Sequence, residues 1–262
     1  MKIFYFFIKK IIPKKIVVWL RGSHNSVLHR FVNLPKEKIK YFYYKLTGKT
    51  WIEFYSDRLN KFAIQNKLLK KEINNSYIIN GKNHLKYLIK NGLKPNHNFL
   101  DYGCGFLRTG LYVIPYLKYG NYTGVDISIE RIQEGEKLLE KNGIKKNEFK
   151  TIFVKDCKLK ELSNMKFDFI YAGSVLTHMP PQDIIQLFYS LKNKFTKNGV
   201  MYFSFHQSEK FEQINVKDFL YPLPKIKKFA EEAGYKFCLD ADAKKYPAYN
   251  NKAHVVFAKI NL

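Results

Sequence analysis

Asp101, Gly103, Gly105 and Asp126 are the residues whose types and spacing point most directly to a nameable chemistry. The apolar pair Phe99 and Leu100 leads into Asp101, Gly103 and Gly105 permit a sharp turn free of side chains, and a largely apolar segment follows. Glycine, lacking Cβ, reaches positive φ and lets a ligand approach the backbone. A helix beginning beyond such a turn offers free N–H groups. The run Tyr122 to Val125 ends at Asp126, so a carboxylate again stands at the carboxyl end of a strand, where open parallel sheets bind their ligands. It can accept hydrogen bonds from ribose hydroxyls. The chemistry is recognition of an adenosine-containing ligand.

Spacing narrows the ligand. The dinucleotide fingerprint G-x-G-x-x-G requires glycine at position 108, which is Arg108. The pattern here is D-x-G-x-G followed by Phe106 and Leu107, and a ligand without a pyrophosphate has no need of a third close approach. This stretch resembles the first motif of the class I S-adenosylmethionine (SAM)-dependent methyltransferases, commonly D-x-G-x-G-x-G, with Leu107 in place of the third glycine. The resemblance implies that Asp101, Gly103, Gly105 and Asp126 bind SAM. It implies the same for Asp156, since an acidic residue after the third strand commonly takes the hydrogen bond of adenine's exocyclic amine; the other reading of Asp156 is an ordinary loop aspartate. Arg108 is either a partner of the cofactor's methionine carboxylate or a surface residue at a helix start.

The phrase Ser174-Val175-Leu176-Thr177-His178-Met179 is similar to the fourth-strand motif of small-molecule methyltransferases and places Ser174 with the cofactor-binding set. His178 has the side chain near this edge suited to general-base work at neutral pH, and a hydroxyl acceptor of high pKa would gain from losing its proton during attack. The alternative is a loop histidine that packs beneath the cofactor or bonds to backbone. His206 and Glu209 are weaker base candidates.

These residues need a sheet to bring them together. Strand candidates at Phe99–Asp101, Tyr122–Asp126, Phe149–Val154, Phe167–Ala172, Val200–Phe205, Tyr235–Leu239 and Ala253–Ile260 are separated by helical patterns. Ser128 is an N-cap for the helix to Asn142, Pro180 or Pro181 starts a helix to about Thr196, and Asn198-Gly199 turns into the fifth strand. Residues 210–224 read as an insertion before a helix from Ile226 to Ala233. The order β-α-β-α-β predicts an α/β, Rossmann-like, doubly wound and mostly parallel sheet. The resemblance implies seven strands with an antiparallel edge strand.

The chain of 262 residues is 46% hydrophobic and carries a net charge of +24, enough length for a substantial core and too apolar for disorder. Residues 1–95 hold 21 Lys and Arg against 4 acidic residues, a balance of +17, whereas residues 96–262 hold 25 against 18, a balance of +7. Two readings of the excess stand: a compositional bias toward Lys with Asn, Ile, Tyr and Phe, or an electrostatic function toward phosphates or anionic lipid. Cys104, Cys157 and Cys238 are too few and scattered for a disulfide framework or a zinc site, so no metal is expected and a reducing cytoplasm is the default.

Punctuation at Asn91-Gly92 and Pro95 divides a basic, mainly helical N-terminal extension, residues 1–95, from a methyltransferase domain, residues 96–262. From Lys36 to Lys94 apolar residues such as Phe54, Leu59, Phe62, Leu68, Leu69, Leu85 and Leu88 recur at helical spacing, giving three or four helices. By resemblance such an extension covers the cofactor and shapes the acceptor pocket, with Tyr77 and the cluster Tyr41 to Tyr44 either lining it or serving as core. Residues 1–20 mix aromatic and aliphatic side chains with five lysines and contain no span of the ~20 uninterrupted apolar residues that crossing a membrane takes. They suit peripheral contact with a membrane surface or packing on protein.

The sequence therefore reads as a SAM-dependent methyltransferase acting on a small-molecule or glycan hydroxyl. Methylation of a lipid or isoprenoid at the membrane, a basic RNA-modifying protein, and a SAM-binding protein without catalysis are the alternatives. Nucleic acid is disfavoured as a partner: no RNA or DNA module is recognisable, and arginine, which makes the bidentate contacts, is scarce.

Overall fold

The computed structural model describes residues 34–66, 75–214, 216–240, 246–247 and 253–262; residues 1–20, together with Leu68 and Leu69, lie outside them. Two compact units form, Met1–Thr50 and Trp51–Leu262. The first contributes helix α1 (Leu34–Leu46), in which Tyr44 is buried while Phe42 and Tyr43 are exposed. The second begins with α2 (Trp51–Asn66) and α3 (Asn75–Lys90), on which Tyr77 falls, and continues into the sheet.

Strands β1 (Phe99–Tyr102), β2 (Tyr122–Asp126), β3 (Phe149–Phe153), β4 (Phe167–Ala172), β5 (Phe195–Gln207), β6 (Glu212–Ile214), β7 (Asp218–Tyr221), β8 (Lys236–Leu239), β9 (Tyr246–Pro247) and β10 (His254–Asn261) belong to one sheet. Its continuous order is β3-β2-β1-β4-β5-β10-β8. Neighbours from β3 through β5 are parallel, and β10 runs antiparallel to both β5 and β8. This seven-strand path is the expected doubly wound arrangement, with its antiparallel strand β10 next to the edge strand β8, and β6, β7 and β9 extend the sheet beside it. Every residue of β1 and β2 is buried, as parallel strands covered on both faces must be.

The crossover helices are α4 (Gly110–Tyr116), α5 (Ile129–Lys141), α6 (Pro181–Leu191) and α7 (Leu223–Glu232). In α5 the apolar Ile132, Leu138 and Leu139 face inward, and Ser128 Oγ accepts the Arg131 amide at 3.3 Å, a cap worth about 1 kcal/mol.

Four boundaries differ from the sequence reading. α4 starts five residues after Gly105, since the intervening residues form turns, and its N-terminus is not the immediate continuation of the glycine turn. α6 ends at Leu191 and β5 begins at Phe195: Phe195 pairs with Phe167 and Val200 with Phe169, so Asn198-Gly199 lies in an irregular stretch of strand and not in a connecting turn. The insertion at 210–224 is the antiparallel hairpin β6–β7, whose second strand joins the end of β5 through His206–Leu220 and Gln207–Tyr221. Pro222 then caps α7, which starts three residues before Ile226.

Candidate functional site

The turn after β1 is held by the end of β2. The amides of Gly103 and Cys104 donate to Val125 O at 2.8 and 2.9 Å, and the Gly105 amide donates to Asp126 Oδ2 at 2.8 Å. Gly103 and Gly105 have φ of +75° and +56°, in the left-handed region that favours glycine. A Cβ on Gly105 would stand 2.6 Å from Arg131 Nη2, and one on Gly103 would stand 2.5 Å from Val175 Cγ2.

Leu107 stands where the motif D-x-G-x-G-x-G has its third glycine and keeps glycine's backbone, with φ of +56°. That conformation costs roughly 1–2 kcal/mol for a residue with a Cβ. Its side chain is fully buried, which contributes about 1.5–3 kcal/mol and outweighs or offsets the strain.

Asp126 is buried, and its second oxygen accepts the Ser128 amide at 2.9 Å. Each carboxylate oxygen retains a further acceptor site, so ribose hydroxyls can add to the two backbone donors. Beside it, Arg131 Nε is buried without a hydrogen-bond partner among the described residues, while the guanidinium lies 4.9 Å over the Phe106 ring. Left-handed glycines, a carboxylate with acceptor capacity and an orphaned buried donor fit an adenosine ligand at this edge.

Asp101 is buried at the end of β1 and accepts the Tyr122 hydroxyl at 2.7 Å. Burial pushes its carboxyl up to about 7, against the Tyr122 bond and the nearby Arg108 charge. His84 of α3 shares a hydrogen bond with Thr109 at 2.9 Å, and burial, then Arg108, lowers its imidazole to about 3. Asp156 lies in the turn after β3, on the same sheet edge, where its Oδ1 accepts the Lys158 amide at 2.8 Å.

Ser174, at the end of β4, has φ of +60°, and its amide donates to Ser204 Oγ of β5 at 2.8 Å. A non-glycine residue held in this region is strained, and strain of this kind concentrates at functional sites. Two residues on, a 3-10 turn, Leu176–His178, carries the histidine.

His178 Nδ1 lies 3.0 Å from Asp218 Oδ1 and 3.1 Å from Lys217 O. Both partners accept, so Nδ1 donates and the neutral ring keeps its lone pair on Nε2. Burial raises the Asp218 carboxyl, but the hydrogen bond from His178 and the Lys217 charge outweigh it and hold the group below the usual carboxylate range. His206, at the end of β5, is lowered by burial and then by His178, and Glu209 is exposed.

Helix α2 spans this edge. Trp51 Nε1 donates to His178 O at 2.9 Å, Ser56 Oγ donates to Ile127 O at 2.5 Å, and Asn60 Oδ1 accepts Ser128 Oγ at 2.6 Å. Between them Tyr55 stands 5.4 Å from the His178 ring, its phenol raised by burial. The structure thus gathers Gly103, Gly105 and Asp126 into one bonded turn, ties Ser174 to β5, keeps Asp101 buried against Tyr122, and sets His178 among partners the sequence reading missed: Asp218, Trp51 and Tyr55. Only the polar residues of α2 amid its apolar ones, and a carboxylate in an insertion beside the ligand edge, hinted at them.

Parallel strands in this order, an antiparallel strand beside the last, a glycine turn after β1 and a carboxylate ending β2 make up a Rossmann-like fold shared with SAM-dependent methyltransferases. Residues 100–201 match the sequence model of a family described as a methyltransferase domain.

Among solved structures, an S-adenosylmethionine-dependent methyltransferase from Clostridium acetobutylicum is 18% identical, with a TM-score of 0.54 over 78% of this chain and 98% of that one. Magnesium protoporphyrin IX methyltransferase from Synechocystis PCC 6803, with bound SAM, is 14% identical, with a TM-score of 0.60 over 80% of this chain and 96% of that one. A glycopeptide N-methyltransferase is 11% identical, with a TM-score of 0.52 over 70% and 90%. At such identities the likeness is one of fold, and the acceptors named differ. No curated protein sequence matches the chain.

Proposed function

We propose that the protein methylates a hydroxyl of a small molecule or glycan, with His178 as general base and Asp218 as the residue that positions it. The observation that carries this is the 3.0 Å contact between His178 Nδ1 and Asp218 Oδ1, just beyond β4. When bound, the cofactor supplies a methyl group on a sulfonium, an electrophile that needs alignment with its acceptor more than acid–base help. Gly103 and Gly105 give the turn its close approach, Asp126 accepts from the ribose hydroxyls, and Asp156 and Ser174 line the same edge beside adenine and the methyl end. Asp101 supports the turn from beneath. His178 Nε2 takes the acceptor's proton as its oxygen attacks.

In this reading residues 1–95 form a helical extension before the methyltransferase domain at 96–262, and α2 covers the cofactor edge. The bonds of α2 to His178, Ile127 and Ser128 support that role. A second acceptor class, a lipid or isoprenoid hydroxyl, is favoured by one observation: the exposed apolar residues of α1. No helix among the described residues is long and apolar enough to cross a membrane, so contact there would be peripheral.

The test is transfer of labelled methyl from SAM to glycan, small-molecule, lipid and RNA fractions by wild type and by His178→Ala. The expected result is label in a hydroxylated small molecule or glycan and a loss of about 10²–10⁴-fold in the variant. Label in RNA alone, or a variant within a few-fold of wild type at every pH, would overturn the reading.

A further inference from the structure

We infer that α1 docks on an anionic lipid bilayer. Ile39, Phe42, Tyr43 and Leu46 are 60%, 62%, 63% and 70% exposed, against 7% for Tyr44 on the same helix. Their spacing of three, four and seven residues puts all four within an arc of roughly 100° at 3.6 residues per turn, while Tyr44 points away from it. The helix thus turns its apolar stripe outward, the reverse of α5, where Ile132, Leu138 and Leu139 are buried.

Basic residues flank the stripe. Lys38 and Lys45 are exposed and sit two turns apart on one side of it, and Lys49 follows the helix, also exposed. Lys45 Nζ lies 4.8 Å over the Tyr41 ring and Lys49 Nζ 5.0 Å over the Tyr44 ring, so both stems run along the helix end with their charges near its surface. Apolar and aromatic residues entering the interface, with lysines at its rim, are how an amphipathic helix lies on a membrane. Anionic head groups match the lysines, and the front of the chain adds to them, with its balance of +17 over residues 1–95.

Charge also decides between a bilayer and a second copy of the chain. In an antiparallel two-fold contact through this face Lys38 and Lys45 would meet their own copies, and in either orientation the balance of +17 on residues 1–95 of each copy would repel. A bilayer has no such conflict. The inference does not depend on the identity of the methyl acceptor: a protein docked through α1 can act on a lipid or on a soluble substrate.

The experiment is co-sedimentation of the full chain with phosphatidylcholine vesicles and with vesicles that also contain phosphatidylglycerol, over a range of salt, alongside the variant F42S/Y43S/L46S and the variant K38E/K45E. Circular dichroism and SAM affinity are followed in the same preparations, so a failure of the methyltransferase reading shows itself separately. Wild type is expected to bind only the anionic vesicles, with affinity falling as salt rises. The serine variant should bind at least tenfold more weakly, and the glutamate variant should lose most of the salt-dependent part. Three results would overturn the inference: no binding of wild type to anionic vesicles, binding by both variants equal to wild type, or a stripe variant that changes only the oligomeric state. Should the serine variant fail to fold, the glutamate variant, whose changes lie outside the stripe, decides.

Discussion

At the ends of β1 and β2 the site is made by backbone and close neighbours: Gly103, Cys104 and Gly105 bond to Val125 and Asp126, all within one strand–turn–strand unit. At the ends of β4 and β5 it is made by side chains from distant segments: His178 from the turn after β4, Asp218 from the β6–β7 hairpin, and Trp51 and Tyr55 from α2. In the proposed reading the first half takes a fixed ligand and needs few residue types in one geometry. In the same reading the second half takes the acceptor, and loops and insertions are where variation in a bound partner is accommodated. Cofactor recognition and acceptor chemistry should therefore separate under mutation.

The largest effect is expected on the cofactor side. Asp126→Ala removes the clamp on the Gly105 amide and, in the proposed reading, an acceptor for ribose, so it should weaken SAM binding by about 100-fold, or some 3 kcal/mol. Isothermal calorimetry measures this directly. An affinity within threefold of wild type would mean that the end of β2 does not hold the ribose.

A smaller and different loss is expected on the acceptor side. Asp218→Asn should lower methyl transfer about tenfold at unchanged SAM affinity, because it leaves the cofactor half intact while weakening the orientation of His178. Asp218→Glu, which keeps the charge, should recover part of the rate. Equal losses of SAM affinity and rate would erase the division between the two halves. Acid should have the same effect as the asparagine change: the Asp218 carboxyl is held below its ordinary range, so its stabilisation is present at neutral pH and is lost as pH falls through that lowered value.

The smallest effect concerns stability. Asp101 is raised by burial to about 7, so the folded protein holds this proton to higher pH than the unfolded chain does. Its contribution is complete below the ordinary carboxylate range and is lost as pH rises toward and past about 7. Asp101→Asn, still able to accept from Tyr122, should raise the melting temperature by a few degrees at pH 8 and by less at pH 5, since about 1 kcal/mol moves a domain of this size by 2–4 °C. Differential scanning calorimetry at the two pH values distinguishes this from a pH-independent change.

The same division explains what could be read in the sequence. D-x-G-x-G, Asp126 and the Ser128 cap are local signals, and the structure places all of them in adjoining turns. Leu107 was legible as a missing glycine, but not as a residue that keeps glycine's backbone while its side chain fills the core. The partners of His178 were not legible, since nothing in the sequence links positions 178 and 218 or sets Ser56 and Asn60 of a preceding helix against Ile127 and Ser128. The length of β5 escaped for a related reason: Asn198-Gly199 is a strong local turn signal, yet pairing with β4 carries the strand through it. Local propensity lost wherever a contact from far along the chain decided the conformation.

The most direct test is calorimetric titration of SAM into wild type and into a variant with Gly103 and Gly105 both changed to valine, with circular dichroism as the control for folding. Both positions lie at positive φ, and an added Cβ would meet Val175 at one and Arg131 at the other. Saturable binding by wild type and none by a folded variant is the expected result. A folded variant that binds SAM as tightly as wild type, or a wild type that does not bind it, would contradict the assignment of this turn as the cofactor site.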